Sequence, residues 1–496
     1  MEYLIRNAEI FDGTGTSPFH ADVCLKDGVI ACIGSATPNG CRVIDGAGYA
    51  LAPGFIDAHG HSELDILDIP GGDNKIAQGF TSEIAGNCGF TEFMEKGLSF
   101  AQYRERFREK APALNLAVLA GHNSLRTIVI GNDDRKASDT ERMEMRRLLR
   151  DAIRQGAKGF SAGMWYVPGI YADTDEVAFL AEELKGTRLP FTIHLRSEGD
   201  TLLESIREAC AIARAGNGIL QISHFKTWYP RNWHKLADAL QLIEQEKQNG
   251  LQIHLDRYPY LYSGTGLRMA LPAELSRIPK ETLHKQLKED PEFFRHALAL
   301  TEAAGPADCP WEQILLLDSG TPEHAPYFGR TMSDIAAERG LSSPAEACLK
   351  LLAEEENPLG GFGLMSEQNL NTILARKDVM PGTDGGIQDF NKQNGHPRKF
   401  GTAPRFFQLA SRYAPVETVI QRMTALPATV FQLERRGIIA PGYHADLVLF
   451  HKNEFNANED YAHPATPAPG LRFVFVNGEP VLDEGKRTDK RPGVLL

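Results

Sequence analysis

His59 and His61 stand one residue apart in Pro53-Gly54-Phe55-Ile56-Asp57-Ala58-His59-Gly60-His61, at the end of an apolar run. Alternate residues of an extended strand point to the same side, so both imidazoles can aim at one point. Imidazole is the commonest protein ligand for zinc at neutral pH. Two more apolar runs end on histidine, Phe191-Thr192-Ile193-His194 and Leu220-Gln221-Ile222-Ser223-His224. Either alone reads as a capped core histidine; beside the His-x-His pair they describe a metal centre. Asp384 closes another run, Val379-Met380-Pro381-Gly382-Thr383-Asp384. Its carboxylate could bind metal, act as a general base, or do both.

Cys88 follows the run 81–85 within Gly86-Asn87-Cys88-Gly89. A lone cysteine usually packs as an inert apolar residue. Flanking glycines point instead to close backbone approach at a special turn, and a thiolate ligand is an equal reading. Cys24, Cys32, Cys41, Cys210, Cys309 and Cys348 have no such setting and read as structural.

The elements that position these residues alternate. Strand-like runs fall near 54–58, 80–86, 114–120, 157–162, 190–194, 218–223, 251–256 and 379–383, with a possible ninth near 361–366. Helical patterns lie between them: 140–155 places Met145, Leu148, Leu149, Ala152 and Ile153 on one face, and 174–185 follows the N-cap Asp173 with Glu176 three positions on. Eight strands separated by helices predict an α/β fold with a (β/α)8, TIM-like barrel, an open doubly wound sheet being the weaker alternative. The C-terminal strand ends of such a barrel converge on one face, which is where the histidines sit. Residues 1–52 and those after about 436 read as short strands with Asp12-Gly13, Asp27-Gly28, Asp45-Gly46 and Asn477-Gly478 as turn signals. The expected division is 1–52 with 428–496 as a small β-domain and 53–427 as the barrel. Residues 272–358 form a helix-prone insertion, either a lid over the catalytic face or a surface subdomain.

A chain of 496 residues is longer than one core usually serves. The net charge of −12 disfavours nucleic acid as a partner, since phosphate binding relies on Lys and Arg. Seven scattered cysteines do not make a disulfide framework, and an odd count suits a reducing compartment. With no basic-then-apolar start and no apolar run of about 18 residues, no membrane association is expected and a cytoplasmic location is the default.

Taken together, 53–61, 86–89, Gly121-His122-Asn123-Ser124-Leu125-Arg126, His194-Leu195-Arg196-Ser197-Glu198-Gly199, Ser223-His224-Phe225-Lys226, Asp256-Arg257-Tyr258-Pro259-Tyr260, 382–385, His396-Pro397-Arg398 and the closing 437–449 resemble the amidohydrolase superfamily. Within it the chain is most similar to the N-acyl-D-amino-acid deacylases, or D-aminoacylases. The resemblance implies a distorted barrel with a β-sandwich from both termini. It further implies that Cys88, His194 and His224 hold the tighter zinc, while His59, His61 and Asp384 form a second, weaker position. It assigns Lys226, Arg398, Tyr166 and Tyr258 to the carboxylate of the substrate. Packing or surface roles are the alternatives for these four. Most binuclear relatives bridge their metals with a carboxylated lysine. Here Lys158 starts its strand rather than ending it, which favours the cysteine variant.

The implied reaction is hydrolysis of an N-acyl-D-amino acid, with Asp384 as general base and acid. A dipeptidase releasing a C-terminal D-residue performs the same chemistry on another acyl group. Cyclic-amide hydrolases usually carry the bridging lysine. Deaminases place a glutamate three residues after a metal histidine, where this chain has Ser197 and puts Glu198 one later. A catalytically dead scaffold on the same fold would have lost ligands that are all present here. Arg268, after the Ser263-Gly264-Thr265-Gly266 turn, could contact an acidic substrate side chain or lie on the surface.

Overall fold

In the computed structural model, residues 2–37, 40–306 and 309–496 are described. Eight parallel strands follow one another as expected: Phe55–Asp57, Phe80–Ala85, the broken pair Asn115–Val118 and Ala120–Gly121, Phe160–Gly163, Phe191–His194, Ile219–Ile222, Gln252–Arg257 and Val379–Pro381. The break at Leu119 lets the third strand pair with the second before it and the fourth after it. The ring closes between first and last strands. Ala58 N donates to Pro381 O at 3.0 Å, and Asp384 N to His59 O at 2.8 Å. The fold is a distorted (β/α)8 barrel.

Residues along these strands alternate between two cores. Phe55, Phe80, Phe160 and Phe191 face the surrounding helices. Ile56, Ile84, Ala117 and Met380 face inward and pack on Ala428, Val430 and Phe431, as the strand period of two requires. The helices fall where their caps put them. Ser138 and Glu141 form a capping box at Asp139–Arg154, and Asp173 accepts from Glu176 N at the head of Thr174–Ala181.

Strands from both ends of the chain share one sheet, in which Ala50–Pro53 lies antiparallel to Leu447–Phe450. Against it packs a four-stranded sheet built from Tyr3–Arg6, Val23–Lys26, Val29–Ile33 and Arg42–Asp45. Asp27-Gly28 and Asn477-Gly478 turn tight hairpins with positive φ at both residues, as that turn type demands. Asp12-Gly13 does not: Glu9–Ile10 returns to Phe19–His20 through a longer loop. Cys24 and Cys32, read as structural residues, face each other across this hairpin sheet as a disulfide.

The insertion has its own core, with Leu267, Ile314, Leu316, Ile335, Leu349 and Phe362 in it. Its three-stranded sheet joins Ser263–Gly266, Leu359–Phe362 and Ile314–Asp318, so it takes in strands on both sides of 272–358. The glycine-rich segment 263–266 is therefore a strand rather than a turn, and the run near 361–366 belongs here rather than to the barrel. We propose 1–52 with 428–496, 53–427, and the insertion as the units of the chain; the small β-domain and the insertion each have a core of their own, although Ala428, Val430 and Phe431 pack into the barrel.

Candidate active site

The C-terminal ends of the barrel strands deliver the candidate ligands to one point. His194 is the last residue of its strand, and His59, Cys88, His224 and Asp384 lie two or three residues beyond theirs. Cys88, His224 and Asp384 all have left-handed backbones, with φ of 54°, 35° and 47°. Non-glycine residues are rarely held so, and such strain collects at functional sites. At each of these three strand ends the chain turns sharply, which bends the side chain in over the barrel mouth.

Cys88 Sγ is the shared centre. It lies 3.4 Å from His59 Nε2, 3.5 Å from His224 Nε2 and 3.8 Å from His194 Nδ1. His194 Nδ1 and His224 Nε2 are 2.8 Å apart. Asp384 Oδ1 lies 3.2 Å from His61 Nε2 and 3.6 Å from His59 Nε2. Two overlapping groups thus could hold metal: Cys88, His194 and His224, and His59, His61, Cys88 and Asp384.

The donors fit zinc chemically. Sulfur with imidazole nitrogen is its preferred set, and the outer nitrogens are occupied. His59 Nδ1 faces Asp256 Oδ2 at 3.2 Å, and His224 Nδ1 faces Glu198 Oε1 at 2.9 Å. Each partner orients its ring with Nε2 facing inward, where that nitrogen could give its lone pair to a metal. Burial alone would push the Cys88 thiol up. The charge on His59 and hydrogen bonds from His194, His224 and His59 outweigh burial and hold the thiol well below its usual range. Thiolate is the form that binds metal.

The remaining predicted residues line the same pocket: Tyr166, Lys226, Tyr258 and Arg398 stand there with His194, His224 and Asp384. Arg398 Nη1 reaches Asp384 Oδ2 at 2.8 Å, and its guanidinium lies 4.8 Å from the centre of the Tyr258 ring. Burial would raise the Asp384 carboxyl, but Arg398 and His224 hold it well below the ordinary carboxylate range. The same contest at Tyr258 ends with the phenol lowered by Lys226, Arg257 and Arg398. Burial, Cys88 and Asp384 push Tyr166 the other way, so its phenol stays a donor. Lys226 Nζ binds Glu198 Oε1.

Several residues at this site carried no assigned role in the sequence. Asp256 Oδ1 accepts from His224 N at 2.9 Å while its Oδ2 faces His59, so one carboxylate orients two candidate ligands. Its place in an apolar strand, like those that lead to the histidines, was the available signal. Glu198 bridges His224 to Lys226. Gly163 is needed for space: a Cβ there would lie 2.0 Å from Cys88 O. His122 and Arg126, whose chemistry was open, both bind Glu176, at 2.8 and 2.6 Å, in a buried cluster of structural character. Arg268 directs Nη1 to Ile278 O at 3.3 Å.

Known proteins resemble this chain over its whole length. The profile of the Amidohydrolase family matches residues 42–189 and 382–482. The chain is 31% identical to the N-acyl-D-aspartate deacylase of Alcaligenes xylosoxydans xylosoxydans, over 100% of this chain and 95% of that protein. It is 30% identical to the D-aminoacylase of the same organism, over 100% and 97%. The N-acyl-D-glutamate deacylase of Bordetella bronchiseptica has been solved with zinc and a phosphonate mimic of the tetrahedral intermediate. It superimposes with a TM-score of 0.83 at 29% identity, covering 100% of this chain and 99% of that one. The chain belongs to the amidohydrolase family and, within it, to the N-acyl-D-amino-acid deacylases, or D-aminoacylases.

Proposed function

We propose that this chain hydrolyses the amide bond of N-acyl-D-amino acids, releasing a carboxylic acid and a free D-amino acid, with zinc as its metal. Cys88, His194 and His224 would hold the tighter ion, and His59, His61 and Asp384, sharing Cys88, a second and weaker one. When bound, zinc supplies a Lewis acid for the amide carbonyl and lowers the pKa of water towards ~7.

The chain's own groups supply the rest. Asp384, kept ionised by Arg398, accepts the proton of the attacking water at Oδ1 and passes it to the amide nitrogen. Amide nitrogen leaves only when protonated, so this shuttle is required. Arg398 and Lys226 put two positive charges on the pocket wall around the Tyr258 ring, and with the phenols of Tyr258 and Tyr166 they grip the substrate carboxylate. Arg suits the planar carboxylate through paired N–H donors.

The single observation that carries this reading is the convergence of the Cys88 sulfur with the imidazoles of His59, His194 and His224, the last two lining the pocket that also holds the Asp384–Arg398 pair. The preference for D-residues is supported by the relatives, which are named for them. A cytoplasmic setting is part of the proposal: five of the seven cysteines are unpaired, which favours it, while the Cys24–Cys32 disulfide runs against it. No helix among the described residues is long and apolar enough to cross a membrane.

The test is metal analysis of purified protein with turnover on N-acetyl-D- and N-acetyl-L-amino acids. A dipeptide with a C-terminal D-residue extends the test to the acyl side. About one zinc or more per chain with hydrolysis of the D-substrates is the expected result. Zinc far below one per chain together with no turnover would overturn it.

A further inference from the structure

Resting on the deacylase reading, we infer that Arg257 is a positioning residue of the substrate-carboxylate site: it sits behind Tyr258, outside the pocket, and strengthens the hold on the anionic substrate through the Tyr258 phenol. Arg257 is the last residue of the seventh barrel strand and pairs with Pro381 of the eighth, so its backbone is held by the barrel itself. Tyr258, Lys226 and Arg398 line the pocket, and Arg257 does not. It cannot touch the substrate and must act through a neighbour.

Arg257 is only 1% exposed. Its Nη2 donates to the Tyr260 carbonyl at 2.9 Å and lies 2.8 Å from Met365 Sδ. Nε and Nη1 are buried without hydrogen-bond partners. Among the described residues no carboxylate pairs with it. A buried cation without a counter-charge is costly. What faces it is the Tyr258 ring, with the guanidinium carbon 4.2 Å from the ring centre. The face of an aromatic ring attracts a cation, the more so where water is excluded.

Lys226 and Arg398 face the same ring at 5.8 and 4.8 Å, but each is already paired, with Glu198 and Asp384. The positive charge around this ring that has no such partner is that of Arg257. A carboxylate accepting from the Tyr258 hydroxyl therefore meets a phenol polarised from behind by an unbalanced cation. The electrostatics of the ring agree. Burial would raise the Tyr258 phenol, but Lys226, Arg257 and Arg398 together lower it, with Asp384 opposing them. A phenol of greater acidity is a stronger hydrogen-bond donor to an anion. The stack also limits how the ring can turn, since the His396 ring closes in at 6.1 Å.

The test replaces Arg257 in the zinc-loaded enzyme and reads KM and kcat on N-acetyl-D-methionine and the inhibition constant of D-methionine. Arg257→Met should raise KM and that inhibition constant about 30-fold, the scale of one desolvated cation–aromatic contact. The loss should fall on KM rather than kcat. It should spare inhibition by N-acetyl-D-methioninamide, which has no carboxylate. Arg257→Lys, which keeps the charge, should recover most of the binding. In a Tyr258→Phe background, Arg257→Met should add less than about fivefold, because the phenol it acts through is gone. If Arg257→Met fails to fold, judged by circular dichroism and zinc content, Arg257→Gln takes its place. An unchanged KM, equal losses for the carboxylate and its amide, or independent effects of the two replacements would overturn this inference and leave the deacylase reading standing. Failure of the wild-type enzyme to hydrolyse any N-acyl-D-amino acid would instead overturn the deacylase reading, and this inference with it.

Discussion

Lys75 Nζ lies 2.6 Å from Asp57 Oδ2, and neither side chain has any exposed surface. The same ammonium reaches Glu83 Oε2 at 3.0 Å, Thr383 Oγ1 at 2.7 Å and the Gly385 carbonyl at 2.9 Å. Asp57 Oδ1 accepts from the backbone N–H of His59 at 3.2 Å and of Thr383 at 2.9 Å. One buried cation therefore ties the first barrel strand to the last, directly beside His59 and Asp384. Desolvating these charges is costly, and the cost is offset only while each keeps its partners.

Lys75→Met should accordingly destabilise the protein by about 3–5 kcal/mol, the cost of leaving buried carboxylates without their cation. Urea denaturation of variant and wild type measures it. An unchanged midpoint would show that the network carries no stability.

Cys88 is common to both candidate metal groups. Cys88→Ala should leave far less than one tightly bound zinc per chain after dialysis and remove turnover. Zinc quantification decides: full occupancy in the variant would refute the ligand role.

Gly163→Ala asks whether the fourth strand must make room for Cys88. The added Cβ would fall 2.0 Å from Cys88 O and 3.1 Å from the Tyr166 ring, so the cysteine loop must move. A displacement of about 1 Å at reacting groups costs on the order of 100-fold in rate. The expectation is a loss of that size in kcat/KM with a near-native circular dichroism spectrum. Wild-type kinetics would show that the loop adapts freely.

Much of this arrangement was readable from residue order because apolar strands that run into a histidine or aspartate state both the element and its functional end. Cys88 was readable for a related reason, since glycines on either side announce its special turn. Lys75 was not. A lysine in the short helix Asp73–Ile76 looks like surface charge until Asp57 and Glu83 are brought to it from two strands. Gly163 was hidden too, because its constraint is a long-range approach rather than a local conformation. The insertion's sheet escaped because Ser263–Gly266 and Leu359–Phe362 are rich in glycine and lack the strand alternation.

Asp384→Asn removes the proton acceptor while keeping the shape. Its amide can still face His61 and Arg398, so the fold should persist. Turnover should fall by about 10²–10⁴, the usual contribution of a positioned acid–base group. Steady-state kinetics on an N-acetyl-D-amino acid measures this, and a kcat near wild type would remove Asp384 as the base.

His254 predicts the direction of one acid-dependent loss of stability. It sits on the seventh barrel strand with Nδ1 buried and unpartnered. Burial first, and then Lys247, lower its imidazole to about 4, with Asp378 opposing them. The folded protein thus resists protonating this ring, while the unfolded chain protonates it near the ordinary value of 6.5. Its contribution is therefore unaffected above about pH 6.5. It is lost as the pH falls from there towards 4, and levels off below. At about 1.4 kcal/mol per pH unit the loss is at most roughly 3.5 kcal/mol. His254→Gln, which cannot titrate, should lose less stability than wild type between pH 7.5 and 4.5. Urea midpoints for both proteins at the two pH values give the comparison, and parallel declines would exclude His254 as a contributor.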